Sequence, residues 1–535
     1  MKYTDNEKKI LQKYFTNTDA DVFALINLPE VIKGSLFSRY SRSAKDLRRL
    51  FLDEFVKEKE LNFIFNQEKN NHQALDLQRA EAFYERMLIG YGDDSVAELG
   101  GAHIALENIS VLATKSIEEH RLGLSPLEKS TRYVYFDKKI NGEYLFYHDQ
   151  KIMKSKYRDL FITTNNFLFD TYSKIVREIQ PILKKIYPGD DSDPAYKFSI
   201  RAKACDLARG LLPIGVKTNM GVFGNGRAYE YLLTNLMNDP LDEVKEIAQS
   251  LNENLKPVIP SFIKRATNER GVTYRDYVNK RDKSLNYLMK LSRKKPQPIT
   301  GLKVDLVDYD KRAIEKIIAV MLYERTNLTY KETMNKTMKM GPRTKEKIFK
   351  SYLAGRKNRY FKPGRPTEEP YFSFEVSADW GVYKDLMRHR ILTRYRQLFT
   401  NEYGYWIPNE IEMVGYGKIY RDAADRATAA YCKIKKNFPY EAQYLVLHGA
   451  YNRFYMKMNL RELIHFTELR SIPHGHPTYR KTAQEMAKTV SKKLPLLGKY
   501  AYQFVDYKDY GLERLSSFRK IQAKAKKLGI EAFKE

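Results

Sequence analysis

Cysteine is nearly missing. Cys205 and Cys432 are the two present in 535 residues, too few for a disulfide framework, and such scarcity points to a reducing cytoplasm. No run of 18 or more apolar residues occurs, which argues against a helical membrane span. The opening MKYTDNEKKILQKYF carries charges where a secretory signal needs an apolar stretch. Neither a GxGxxG nor a Walker-type glycine loop is found, which disfavours a dinucleotide fold of that kind. His474-Gly475-His476 lacks a Cys or Glu at ligand spacing, so no metal centre is expected.

What is present is a folded protein with several domains. Apolar residues make up 43% of the chain, as in globular proteins, and its length exceeds what one hydrophobic core supports. The net charge is +28. Lys and Arg are spread along the whole chain among Glu and Asp, which reads as a solvated basic surface; a cleft for phosphorylated small ligands would also use it.

One layout occurs twice. In the first half Glu119-His120-Arg121 leads into Glu128, Ser130, Arg132 and Tyr133; in the second, Arg388-His389-Arg390 leads into Gln397, Thr400 and Glu402. A second landmark follows in each half: Ala208-Arg209 precedes Asn225-Gly226-Arg227, and Ala442-Gln443 precedes Asn459-Leu460-Arg461, both at a spacing of 17 residues. The copies are separated by SRKKPQPIT (292–300), a polar, proline-bearing linker. This gives modules over 1–291 and 301–535, the first with a helical insertion at about 138–195 that reads as two long helices. Strands are expected at LKVDLVDYD and FALINLP. Helices are expected at KRAIEKIIAVMLY and EVIKGSLFSRYSRS, and in the segments feeding each triplet.

The chemistry sits at these landmarks. Asn459 followed by Glu462 is a capping signal that starts a helix through NLRELIHFTELR. Asn459 and Arg470, eleven residues apart, fall on nearly one face of it, and its N-terminus suits an anion. Arg388 and Arg390 offer forked donors to phosphate. Glu128, Ser130, Thr131 and Arg132 supply a carboxylate, hydroxyls with neighbouring backbone N–H groups, and a guanidinium. Cys205, inside the apolar ACDLARGLLP, reads as packing rather than as a nucleophile.

Taken together, RHR, EKSTRYV, ACDLARGLLP, DDSVAEL and NLRELIHFTELRSIPH resemble the flavin-dependent thymidylate synthases. The resemblance touches both halves. It implies an α+β fold with two tandem thymidylate-synthase-complementing-protein-like modules, each a mixed sheet with flanking helices. It also implies FAD as cofactor, methylene-tetrahydrofolate and NADPH as co-substrates, and reductive methylation of dUMP to dTMP without a cysteine nucleophile. Residue by residue, Arg388, His389, Arg390, Asn459, Arg461, His465 and Ser95 are expected on the flavin. Glu128, Ser130, Thr131, Arg132 and Arg209 are expected on the nucleotide, with Arg470 facing the uracil as the catalytic group.

The copies depart from the family pattern in complementary ways. Glu119 replaces the leading Arg of the first triplet, Leu236 stands where the second half has Arg470, and Leu99 stands where a His is expected. In the second half Gln443 stands opposite Arg209, Glu402 falls near the place of Arg132, and Asp385 sits where a Gln-like partner is expected. The expectation is a composite site that takes flavin binding from one half and nucleotide binding from the other, with two chains pairing as a pseudo-tetramer. Two other classes stay open on the sequence: an inactive paralogue serving as scaffold or regulator, and flavin- and folate-dependent modification of uridine in RNA.

Overall fold

The computed structural model describes residues 3–56, 96–285, 288, 296–353, 355–530 and 532. The chain forms two compact units. One comprises Met1–Ile109, Ala113–Glu128 and Thr218–Lys294; the other Ser110–Leu112, Lys129–Lys217 and Lys295–Glu535. The stretch from Lys129 to Lys217, which the repeat assigns to the first half of the sequence, thus packs with the second half. Among the described residues no helix is long and apolar enough to cross a membrane.

The first unit holds a three-stranded sheet made of β1 (Gly101–Ser110), β2 (Leu124–Glu128) and β3 (Lys217–Asn225), in the order β1-β3-β2. β3, KTNMGVFGN, alternates strictly: Thr218, Met220, Val222 and Gly224 point inward while Asn219, Gly221 and Phe223 are exposed, the period-two pattern of a half-buried strand. The same unit packs Leu11, Phe15, Ile32, Leu36, Leu50, Phe51 and Phe55 into one cluster.

The second unit repeats the sheet and adds a strand. It contains β4 (Lys303–Tyr309), β5 (Tyr371–Asp379), β6 (Thr393–Arg396) and β7 (Tyr451–Asn459), in the order β4-β5-β7-β6. The β5-β7-β6 part matches β1-β3-β2 strand for strand. β5 and β7 pair antiparallel from Tyr371↔Asn459 to Asp379↔Tyr451, and Phe372, Phe374, Val376, Phe454, Met456 and Met458 are buried. In each unit the central strand runs straight into a helix capped by Asn. Asn225 accepts from the Ala228 N–H at 2.8 Å, and Asn459 from the Glu462 N–H at 2.9 Å, a cap that satisfies one orphan helix donor.

Several expectations need correction. FALINLP contributes only a lone bridge, Leu25 to Phe15, not a strand. The segment feeding the first triplet is strand β1 followed by a Val111–Glu119 helix, because Gly100 and Gly101 break the preceding turn and AHIALENIS finds a sheet partner in β3. The second triplet is fed the same way, by β5 and a Trp380–Leu386 helix. The insertion carries one long helix, Arg158–Ile186, preceded by a four-residue Gln150–Met153 helix. No helix breaker occurs in it before Pro181, and one apolar stripe (Phe161, Leu168, Phe169, Tyr172, Ile175, Val176, Ile179, Leu183) runs its length. It packs on the Gly417–Ile434 and Pro194–Ala208 helices, all in the second unit.

Candidate functional site

The second unit gathers a buried cluster of charged side chains, built from elements that tertiary packing brings together. The Pro194–Ala208 helix, started by the Asp193 cap and Pro194 at its first position, delivers Asp206, and the 3₁₀ turn after it delivers Arg209. The turn after β2 delivers Arg132. Asp385 comes from the Trp380–Leu386 helix, Arg470 from the end of the Leu460–Arg470 helix, and Tyr479 from the Pro477–Lys493 helix.

Arg132 grips Asp206 with both prongs, Nε to Oδ1 at 2.8 Å and Nη2 to Oδ2 at 3.0 Å, and Arg514 donates to the same carboxylate. Burial pushes Asp206 up, but Arg132 and Arg514 outweigh it and hold the carboxyl well below its usual range. Arg209 donates through both terminal nitrogens to Oδ2 of Asp385, at 3.2 and 3.3 Å. Arg209 and Arg132 overcome burial at Asp385 and lower its pKa. Asp379, which caps the Trp380–Leu386 helix through the Val382 N–H, is pushed by burial up to about 6 against the pull of Arg209. Gly381 makes room here: a Cβ would lie 2.8 Å from Nη2 of Arg209 and 3.0 Å from Oδ1 of Asp379.

Two of the expected residues meet at one aromatic ring. Arg132 lies 5.5 Å from the centroid of Tyr479 and donates through Nη1 to its hydroxyl at 3.3 Å. Arg470 lies 5.9 Å from the same centroid. Arg132 and Arg470 stand in opposite halves of the sequence, and cation–π contact of this kind is stronger where water is excluded. Arg470 continues into a chain of contacts: its Nε donates to Nε2 of His389 at 2.9 Å, and Nδ1 of His389 lies 2.6 Å from Oε1 of Glu462.

The other expected residues are distributed as follows. Ser130 accepts from the Arg132 N–H at 3.2 Å, and Thr131 is buried beside it. Glu128 belongs to the first unit, where the fully buried Lys115 holds it at 3.0 Å and Glu118 at 2.6 Å. Arg461 donates to the Pro363 carbonyl at 2.9 Å and to Glu368 at 3.0 Å. His465 contacts the Lys362 ammonium, and burial with Lys362 and Arg470 holds its pKa at about 4. Arg388 and Arg390 are both exposed. Ser95 lies outside the described residues. The replacements have partners too: Gln443 accepts from the Phe399 N–H at 3.0 Å, Glu402 pairs with Lys435, and Leu236 is core. Cys205 is buried, and its thiol is pushed up to about 12, far from a nucleophile's range.

A flavin dinucleotide asks for donors to a diphosphate. Arg388 and Arg390, both exposed, are guanidiniums of the kind that bind one. Both ring nitrogens of His389 are engaged within the protein. His389, Glu462 and His465 also bring three ligand-type atoms within 4.8 Å of one another. Lys362 at His465 and Arg470 at His389 occupy ring nitrogens and add positive charge that a metal cation would face.

Asp206, Tyr479 and Arg514 were missed by the sequence reading, which took Glu462 only as a capping residue and not as the partner of His389. Asp206 had a visible signal, an acid three residues before Arg209 inside an apolar helix, where an unpaired carboxylate would not be tolerated. Tyr479 had none, being 347 residues from Arg132.

A family model described as thymidylate synthase complementing protein matches residues 43–261 and 305–496. The UPF0159 protein of Chlamydia pneumoniae is 41% identical over 522 residues, 96% of this chain and 97% of that one. The UPF0159 protein of Thermoplasma acidophilum is 33% identical over 519 residues, 91% of this chain and 97% of that one. A solved UMP/dUMP methylase, PolB from Streptomyces cacaoi bound with 5-Br dUMP, aligns with a TM-score of 0.32 at 16% identity, covering 39% of this chain and 98% of that one, a likeness too slight to carry weight. Matched in two consecutive segments, and sharing nearly its whole length with these relatives, the chain belongs to the thymidylate synthase complementing protein family.

Proposed function

We propose that this chain is a flavin-dependent thymidylate synthase that converts dUMP to dTMP with methylene-tetrahydrofolate, FAD and NADPH. The active centre is the composite cluster of the second unit. The observation that carries the reading is the meeting of Arg132 and Arg470 at Tyr479: each survives in only one half of the repeat, and the fold brings both to one ring. When bound, reduced flavin supplies the hydride and the folate supplies the carbon. The chain's own residues bind and polarise. Arg470 faces the uracil and stabilises the negative charge that develops on it. Arg132 and Arg209, held rigid by Asp206 and Asp385, lie on the nucleotide side, and Arg388, Arg390 and the Asn459 helix end take the flavin diphosphate.

Purified protein supplied with FAD should absorb near the flavin bands after desalting, and Arg388→Ala with Arg390→Ala should lose most of that absorbance. A colourless wild-type protein that takes up no FAD contradicts the reading.

One observation favours a second reading. Arg132 and Arg209, expected to hold a phosphate, each already pair with a buried carboxylate, as they would in a paralogue kept as a scaffold. Oxidation of reduced flavin that depends on dUMP and methylene-tetrahydrofolate separates the two, since a scaffold shows none.

In this reading the modules are residues 1–291 and 301–535, and two chains pair as a pseudo-tetramer. Support comes from the edge strand β6 and its flanks, where Ile391, Tyr395 and Leu398 are exposed apolar groups of the kind that oligomers cover. Light scattering should give twice the 62.9 kDa chain mass; a monomer at working concentration would remove the pairing.

A further inference from the structure

We infer that Glu462 is a positioning residue for Arg470, acting through the tautomer of His389. The inference rests on the proposed role of Arg470, and its first half follows from hydrogen-bond chemistry alone. A guanidinium has donors and no acceptor. Because Nε of Arg470 lies 2.9 Å from Nε2 of His389, that ring nitrogen must be the acceptor and carry no proton. The imidazole is therefore neutral, and its one proton sits on Nδ1. Nδ1 lies 2.6 Å from Oε1 of Glu462, so Nδ1–H donates and the carboxyl oxygen accepts. Glu462 thereby selects the Nδ1–H tautomer, and that tautomer presents the lone pair that receives Arg470.

The surroundings hold the relay in place. His389 is 5% exposed, and its ring packs 4.5 Å from that of Phe466, so it cannot turn freely. Glu462 and Arg470 stand on one helix, Leu460–Arg470, eight residues and about two turns apart on one side of it. His389 bridges them from the segment after the Trp380–Leu386 helix. With Nε tied to His389, the terminal guanidinium nitrogens of Arg470 are left to the side of Tyr479. Burial of His389, reinforced by Arg470, holds its pKa well below the usual value, in keeping with a neutral ring.

The test uses the full-length protein with its histidines and arginines labelled with 15N. In wild type the His389 ring should show a protonated Nδ1 and an unprotonated Nε2, and the Arg470 Nε–H should be protected from exchange. In Glu462→Leu both protons should exchange at least tenfold faster. In Glu462→Gln, whose amide oxygen still accepts from Nδ1–H, protection should stay within threefold of wild type. In the dUMP assay Glu462→Leu should lose about tenfold in kcat with KM for dUMP within twofold, and Glu462→Gln should recover most of it. An Nε2–H tautomer in wild type, or a Glu462→Leu protein with unchanged exchange at Arg470, overturns the relay. Protection that responds as described in a protein with no dUMP turnover leaves the relay standing and removes the proposed activity instead.

Discussion

Asp206→Ala should destabilise the second unit by about 3–5 kcal/mol, because it leaves the guanidiniums of Arg132 and Arg514 buried without their shared carboxylate. Both arginines are at most 8% exposed, so water cannot replace the lost partner. The loss is also pH-dependent, with a definite sign. Asp206 and Asp385 are both held below the ordinary carboxylate pKa by their arginines. The stability they contribute is thus present above that ordinary value, near 3.8, and is lost as pH falls below it. Wild type should lose stability on acidification through this range, and Asp206→Ala should lose less, so that the two melting curves converge. Thermal unfolding followed at pH 7 and at about pH 2.5, more than a unit below the ordinary value, checks this. A gap of the same size at both values would mean that the Asp206 charge is not what holds the arginines.

The second large effect concerns turnover. Arg470→Ala should lower kcat in the dUMP methylation assay by about two to three orders of magnitude, as loss of one preorganised donor to a developing anion does. Arg132→Ala should act mainly on KM for dUMP, as the proposed contact of Arg132 with the nucleotide requires. It should also weaken the fold less than Asp206→Ala, because Arg514 still neutralises Asp206. If Arg470→Ala keeps wild-type kcat, Arg470 does not face the reacting ring.

How much of this was legible in the sequence differs by kind of interaction. The helix start at Asn459 was readable because a cap and the helix that follows it are local patterns, whereas the strand that leads into it was not read. The strand β4 and the Ala313–Tyr323 helix were readable for the same reason. β1 was misread because AHIALENIS runs without a break into an apolar helix, and only its partner β3, more than a hundred residues on, decides in favour of a strand. The complementary survival of Arg132, Arg209, Arg388 and Arg470 could be read by setting the two copies side by side. Their counter-charges could not. Asp206 for Arg132, Asp385 for Arg209 and Glu462 for His389 are chosen by packing across 74, 176 and 73 residues, and no spacing rule reaches that far. Packing also moves residues 129–217 into the unit formed by the second half, which a boundary drawn at the linker does not convey.

The central claim is that Arg132 and Arg470 serve one site within one chain. Mixing the Arg132→Ala and Arg470→Ala proteins, after dissociation and reassembly, tests it most directly. If each site takes both residues from a single chain, every site in the mixture is defective, and activity should stay at the level of the separate variants. If the residues come from different chains, mixed assemblies regain one intact site, and recovery of about a quarter of wild-type activity or more would contradict the account.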